Sequence, residues 1–232
     1  MQDVLNAVQG RRAMVKNVAV LAGALAVPSA VSATMQRLTQ EQLKPVTQPP
    51  VPGFPAPIPI TSSRVVRPQL LRRAMAALDA QGSRVRRDRI AIADFAAPSA
   101  QARFHLVDLL NGSSKSFLVA HGSGSDPSHT GWLHRFCNDE GSNASCEGAF
   151  LTSNYYVGKH GRSQRLIGLE GTNSNALARA IVVHGAWYSN PDMIRTHGML
   201  GRSQGCFAVA EGDLDQVFAR LGEGRMIFAA KV

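Results

Sequence analysis

The chain has 232 residues, 44% of them apolar, and its 25 Lys and Arg against 16 Asp and Glu give a formal charge of +9. That length leaves room for one ordinary domain with N-terminal extras, and the apolar share is adequate for a packed core. The basic excess suits a polyanion, but nine arginines fall between Arg64 and Arg103 with no base-stacking aromatics among them and no nucleic-acid motif, so no nucleic-acid partner is expected and they read as a solvated basic face.

Residues 1–33 read as an export signal. Arg11, Arg12 and Lys16 precede an apolar stretch from Val18 to Val27, then Pro28 and a small-residue tail ending Val31-Ser32-Ala33. Arg11-Arg12-Ala13-Met14-Val15-Lys16 resembles a twin-arginine signal. The apolar run is far shorter than the roughly 20 residues that span a bilayer, so no stable membrane span is expected after processing, and the mature chain is placed in the periplasm or cell envelope. Residues 34–68 form a proline-rich linker holding eight of the twelve prolines, which extend the backbone and remove donors.

Residues 69–232 are expected to fold as one domain. Leu70, Leu71, Ala74, Met75 and Leu78 recur at helical spacing from Gln69 to Ala80, with Gly82 as the stop. Short β-branched and apolar runs follow: Arg89 to Asp94, Arg103 to Leu109, Ser116 to His121, Ala149 to Val157, Gln164 to Leu169, Ile181 to His184 and Met226 to Ala230. A short helix is predicted over Asp213 to Leu221. Asn111-Gly112 marks a hairpin with a type I′ turn, and Gly122 to Ser145 reads as a long, polar, functional loop. The fold class is mainly β with helices (α+β), a sandwich or barrel of short strands.

Three cysteines in an exported chain cannot all pair internally. Cys137 and Cys146 share the polar loop with eight residues between them; a bridge there would pin the loop and contribute about 2 to 3 kcal/mol in the chain-entropy model. The alternative is two ordinary loop residues. Cys206 follows Ser203-Gln204-Gly205 and precedes Phe207-Ala208-Val209, where a glycine-bearing turn enters an apolar segment. A thiol with an ordinary pKa of about 8.5 needs a base or a fixed dipole nearby to attack at neutral pH. His184 is the candidate base, held at the end of Ile181-Val182-Val183, with Gly185 after it allowing close backbone approach. The N–H groups of Gly205 and Cys206 are expected to face a developing oxyanion. Ser203 either hydrogen-bonds near the nucleophile or shapes the turn alone. His121 and His160 are read as fixing strand ends and loops. His197 is placed at the substrate entrance; His184, His197 and Cys206 lack the tight spacing of a metal site, and no metal or other cofactor is expected.

His184-Gly185 followed by Ser203-Gln204-Gly205-Cys206 resembles the signature of L,D-transpeptidase catalytic domains. Asp94-Phe95, Val119-Ala120-His121-Gly122, Gly158-Lys159-His160-Gly161, Gly168-Leu169-Glu170 and Arg179 extend the likeness to the murein L,D-transpeptidase subgroup, from about Gln69 to the C-terminus. The resemblance implies a β-sandwich-like catalytic domain acting on peptidoglycan stem peptides without a cofactor. Cys206 would attack the diamino-acid carbonyl of a tetrapeptide stem and expel the terminal D-alanine. His184, oriented by a backbone carbonyl, would take the thiol proton and return it to the leaving amine. The thioester then passes to an amine, giving a three-to-three crosslink, or to water, as in a carboxypeptidase. Many relatives hold histidine and then Arg or Asn where this chain has Gln204 and Ala208, so Arg202 or Arg179 is expected to bind the donor by charge-assisted bonds, with Gly185 and His197 completing the substrate-facing set. The runner-up is a non-catalytic peptidoglycan-binding module.

Overall fold

The computed structural model describes residues 65–232; the export signal expected at 1–33 and the linker up to residue 64 lie outside them. The folded part starts before the expected boundary at 69. Val66 is already buried against the core, and Pro68 is the first residue of helix α1 (Pro68–Gln81). Proline is well placed there, because its ring presets the helical φ and its missing donor is one the first turn leaves unused. Leu70, Ala74 and Leu78 form the buried stripe of α1, as the spacing predicts.

Nine strands follow: β1 (Arg89–Asp94), β2 (Phe104–Asp108), β3 (Ser114–Phe117), β4 (Val119–Ala120), β5 (Gly148–Gly158), β6 (Gly161–Gly168), β7 (Val182–Gly185), β8 (Phe207–Val209) and β9 (Met226–Ala230). They join in one mixed sheet of order β3-β2-β1-β9-β5-β6-β7-β8-β4. The pairs β1–β9 and β7–β8 are parallel and the rest antiparallel. Helices α2 (Pro191–His197) and α3 (Leu214–Leu221) complete the domain.

The mainly β, helix-containing class expected from the sequence is what forms, and the sandwich-like character has a specific origin. In a flat sheet with strands about 4.8 Å apart, β2 and β8 would stand roughly 30 Å from each other. Yet the rings of Phe104 on β2 and Phe207 on β8 are 6.1 Å apart. One hydrogen-bonded sheet therefore curls until its ends face each other, rather than two separate sheets stacking. Leu118 alone connects β3, at one edge, to β4, at the other, so the two edges lie within a residue's reach. The run expected as a single strand from Ser116 to His121 is in fact this crossing.

Inside the curl, Phe95, Phe104, Phe150 and Phe207 pack with Val183, Ile227 and the Val217, Phe218 and Leu221 stripe of α3. On the outer face, Ile90, Ile92, Met226 and Phe228 receive α1. β1 is thus buried on both sides, alternating Ala91 and Ala93 inward with Ile90 and Ile92 outward, as its two-residue period requires. Fully burying a Leu such as Leu70 or Leu78 is worth about 1.5 to 3 kcal/mol, which makes α1 an integral layer.

Two local expectations change. The β2–β3 hairpin forms at Asn111-Gly112, but only Gly112 has positive φ (72°), and its N–H bonds to Asp108 O at 2.9 Å. The turn is longer than a two-residue type I′ because the Asp108 carboxylate also accepts the Leu110 N–H at 3.0 Å. Among the nine arginines read as a solvated face, Arg103 is 1% exposed and belongs to the interior.

Candidate active site

β7 and β8 run parallel at the centre of the site, with His184 opposite Ala208 and Val183 opposite Phe207. Cys206, two residues before Ala208, projects from the same face of the pair as His184. Both side chains line one cleft of about 280 Å³. His184 Nδ1 lies 2.9 Å from Gly185 O; an N–H at Nδ1 donates there and leaves Nε2 as the acceptor. The orienting group is a backbone carbonyl. The Cys206 thiol lies 3.6 Å from Ala180 O, to which it donates, rather than to His184.

The turn before β8 is fixed by Ser203. Its hydroxyl donates to Cys206 O at 2.8 Å and accepts the Gly205 N–H at 3.1 Å, while its backbone N–H bonds to His121 O at 2.9 Å. Gly205 has φ +107°, and a Cβ there would stand 2.6 Å from Ala144 O, so only glycine fits. The Gly205 N–H, expected with that of Cys206 to face an oxyanion, is paired with the Ser203 hydroxyl.

Charge around the cleft is of one sign. Among the described residues, Lys159, Arg179 and Arg202 line it, and no carboxylate does. Burial pushes the Cys206 thiol up; a Val182 backbone hydrogen bond and the charges of Arg179 and Lys159 pull it only part of the way back. Burial holds His184 below the usual imidazole range; the Gly185 carbonyl opposes that, and the His160 and Lys159 charges reinforce it. At neutral pH the cleft therefore holds a thiol and a neutral imidazole. Burial, with Cys206 alongside, pushes the Tyr188 phenol far above its ordinary range, so it stays a donor in the cleft wall.

A buried polar cluster anchors the long loop over which the turn rests. Arg103 donates to Val119 O at 3.0 Å and lies 2.7 Å from His121 Nδ1. The second ring nitrogen of His121 faces Asp126 Oδ2 at 3.3 Å. Asp126 also accepts the N–H groups of Thr130 (2.8 Å) and Gly131 (2.9 Å) and the Thr130 hydroxyl (3.0 Å). These bonds outweigh the effect of burial and hold its carboxyl below the ordinary carboxylate range. His121 is pushed down to about 4, first by burial and then by the Arg103 charge, so it is a neutral link between cation and carboxylate.

The expected substrate-facing residues separate into two groups. Arg179 and Arg202 line the cleft, but both also hold the loop: Arg179 donates to Cys137 O (2.8 Å) and Ala144 O (2.6 Å), and Arg202 to Asp126 O (2.5 Å) and Pro127 O (3.0 Å). Gly185 and His197 do not reach the cleft. Gly185 packs toward Leu214 and Glu211, and His197 ends α2, exposed, with its ring against the Thr196 hydroxyl at 2.6 Å. His197 lies at the end of α2, which carries it away from the site.

Cys137 and Cys146 are free thiols, so the expected bridge is not formed. Cys146 Sγ is held by Arg179 Nη1 at 2.8 Å and lies 3.4 Å from Cys137 O, while the Cys137 thiol turns to Asp139. Among the described residues no three His, Cys, Asp or Glu side chains gather as metal ligands, and no helix is long and apolar enough to cross a membrane. The residue most undervalued from sequence is His160. Its ring stacks on His184 with centroids 4.4 Å apart, and the only local signal was its place in a Gly-Lys-His-Gly turn.

Residues 62–230 match the family of the L,D-transpeptidase catalytic domain, and the chain belongs to that family. No curated protein matches it. Among solved structures it is similar to the L,D-transpeptidase LdtMt1 in complex with imipenem, at 13% identity and TM-score 0.38 over 62% of this chain and 59% of that one. An L,D-transpeptidase from Xylanimonas cellulosilytica matches at 16% identity and TM-score 0.38 over 67% of this chain and 68% of that one. The helical cell shape determining protein Pgp2 from Campylobacter jejuni matches at 12% identity and TM-score 0.41 over 72% and 57%. The chain spans about three fifths of the length of the first and third of these.

Proposed function

We propose that this protein is an exported peptidoglycan L,D-transpeptidase whose nucleophile is Cys206 and whose base is His184. The observation that carries the reading is the pair itself: a thiol and a neutral imidazole on one face of adjacent parallel strands, in a cleft whose charged groups, among the described residues, are all cationic. The family membership supplies the substrate class, the stem peptides of peptidoglycan. The leader-like residues 1–33 support delivery to the cell envelope.

In this mechanism His184 Nε2 removes the thiol proton as Cys206 Sγ attacks the diamino-acid carbonyl of a tetrapeptide stem. Because the resting thiol is held up by burial, deprotonation accompanies attack instead of preceding it. The negative oxygen that develops is met by the Cys206 N–H. The protonated His184 then delivers its proton to the departing D-alanine amine, leaving a thioester. An amine from a second stem loses its proton to His184, attacks the thioester and restores the thiol; water in that place gives the shortened stem instead. Lys159, Arg179 and Arg202 favour a donor carrying carboxylates.

Purified protein incubated with disaccharide-tetrapeptides and followed by mass should show loss of D-alanine together with a crosslinked dimer, and Cys206→Ala should show neither. Loss of D-alanine without dimer would make it a carboxypeptidase. Binding with no product at all would sink the enzymatic reading.

A further inference from the structure

The strongest contact that the two-residue mechanism leaves unused is the one between the imidazoles. β5 and β6 form a hairpin whose tip, Gly158 to Gly161, brings Lys159 and His160 to the cleft. The rings of His160 and His184 are 22° from parallel at 4.4 Å. The two differ sharply in exposure: His184 is 1% exposed, whereas His160 lies open to water. One face of the base is therefore covered by a second imidazole whose far side meets solvent.

Two consequences follow from that contact. The Gly185 carbonyl fixes the edge of the His184 ring and His160 its face, so the ring cannot swing without breaking a hydrogen bond or sliding past a stacked neighbour. In addition, two imidazoles in face contact resist being cations together, so the pair takes up its protons in two separated steps. The first proton goes to the ring that water can solvate. Among the described residues, every charged group lining the cleft raises the cost of the second: Lys159 from the hairpin, Arg179 from the segment before β7 and Arg202 from the turn before β8 are cations, and no carboxylate lines it.

We propose that His160 is a positioning residue for His184, accepting the site's first proton on its solvent-facing ring and so keeping the buried ring unprotonated and ready for the thiol's proton. This rests on the reading of His184 as the base. The directions of titration agree: burial lowers His184, with the charges of His160 and Lys159 adding to it, and burial followed by Lys159 lowers His160.

The test compares the wild-type protein with His160→Phe, which keeps a stacked ring but carries no proton, and His160→Gln, which loses the stack. The ring protons of His184 are titrated by NMR in all three, a measurement independent of turnover, with thermal melts to establish that each variant folds. In wild type His160 should titrate first and His184 second. In His160→Phe the His184 midpoint should rise by about one pH unit, and the acid limb of kcat/KM for tetrapeptide turnover should move up with it while KM changes little. His160→Gln should show the same rise and, in addition, a lower kcat above that limb. An unchanged His184 midpoint in His160→Phe, or His184 titrating before His160 in wild type, would overturn the proposal. Should the midpoint shift while wild type turns over no tetrapeptide, the coupling stands and the assigned reaction is what fails.

Discussion

Ser203 and Cys206 are joined by a 2.8 Å hydrogen bond from the serine hydroxyl to the cysteine carbonyl. With the Gly205 N–H donating to the Ser203 Oγ at 3.1 Å, one hydroxyl satisfies a donor and an acceptor of the turn that presents the thiol. This makes the serine of the Ser-x-Gly-Cys motif a backbone fastener.

Ser203→Ala should therefore cost about 1 to 3 kcal/mol of stability, since it strands the Gly205 N–H and leaves the Cys206 carbonyl one partner short at a buried turn. Turnover should fall by about 10- to 100-fold, because a displacement near 1 Å at the nucleophile has effects of that size. Ser203→Thr should recover most of both. Urea unfolding and steady-state assays on the three proteins decide it; if Ala and wild type matched in stability and rate, Ser203 would have no fastening role.

Gly205→Ala tests the same turn from its backbone. The new methyl would have to adopt φ +107° while 2.6 Å from Ala144 O and 2.8 Å from Ile181 Cδ1. Strain and overpacking each cost about 1 to 3 kcal/mol, so a loss on the order of 3 kcal/mol or more is expected in chemical denaturation. A variant with wild-type stability would show that the turn can be rebuilt.

Arg179→Met should separate two duties of one guanidinium. Without its bonds to Cys137 O and Ala144 O, amides from Cys137 to Cys146 should exchange faster with deuterium. Without its charge the Cys206 thiol should titrate higher, since Arg179 is one of the cations that lower it. Arg179→Lys should keep most of the second effect and lose much of the first, because an ammonium cannot reproduce the fork. Equal thiol titration in Met and Lys variants would remove the electrostatic role.

The elements with strong local patterns were readable in advance. α1 shows an apolar stripe and a stop glycine, while its entry proline reads as the end of the linker; β1 and β9 are nearly continuous apolar runs, and Cys206 and His184 stand out by residue type beside glycines. What escaped is what distant segments create together. β8 is only three residues long and declares itself by lying between β7 and β4. The closure through Leu118 is invisible to a strand pattern, which sees one run from Ser116 to His121. His160 could not be tied to His184 because their contact depends on the β5–β6 hairpin reaching the cleft. Arg103 read as one more surface cation because nothing adjacent in sequence announces the His121 and Asp126 that receive it.

That cluster carries the last prediction, the domain's response to acid. His121 has a folded pKa of about 4, below the roughly 6.5 of an unfolded imidazole. The neutral ring is the form the fold favours, so its contribution is fully present above the unfolded value. As pH falls through 6.5 the unfolded chain binds a proton that the folded one refuses, and stability declines until about pH 4, where both bind it. For this fully buried ring the loss is on the order of 3 kcal/mol. His105, His160 and His184 are shifted in the same direction and add to the slope. Melting temperatures should accordingly hold near neutral pH and drop between pH 6.5 and 4. His121→Gln, able to accept from Arg103 and donate to Asp126 without titrating, should be less stable at pH 7.5 yet lose less between pH 6.5 and 4. If its melting temperature fell with pH as steeply as that of wild type, His121 would not be the principal acid-sensitive link, and the remaining histidines would have to carry the slope.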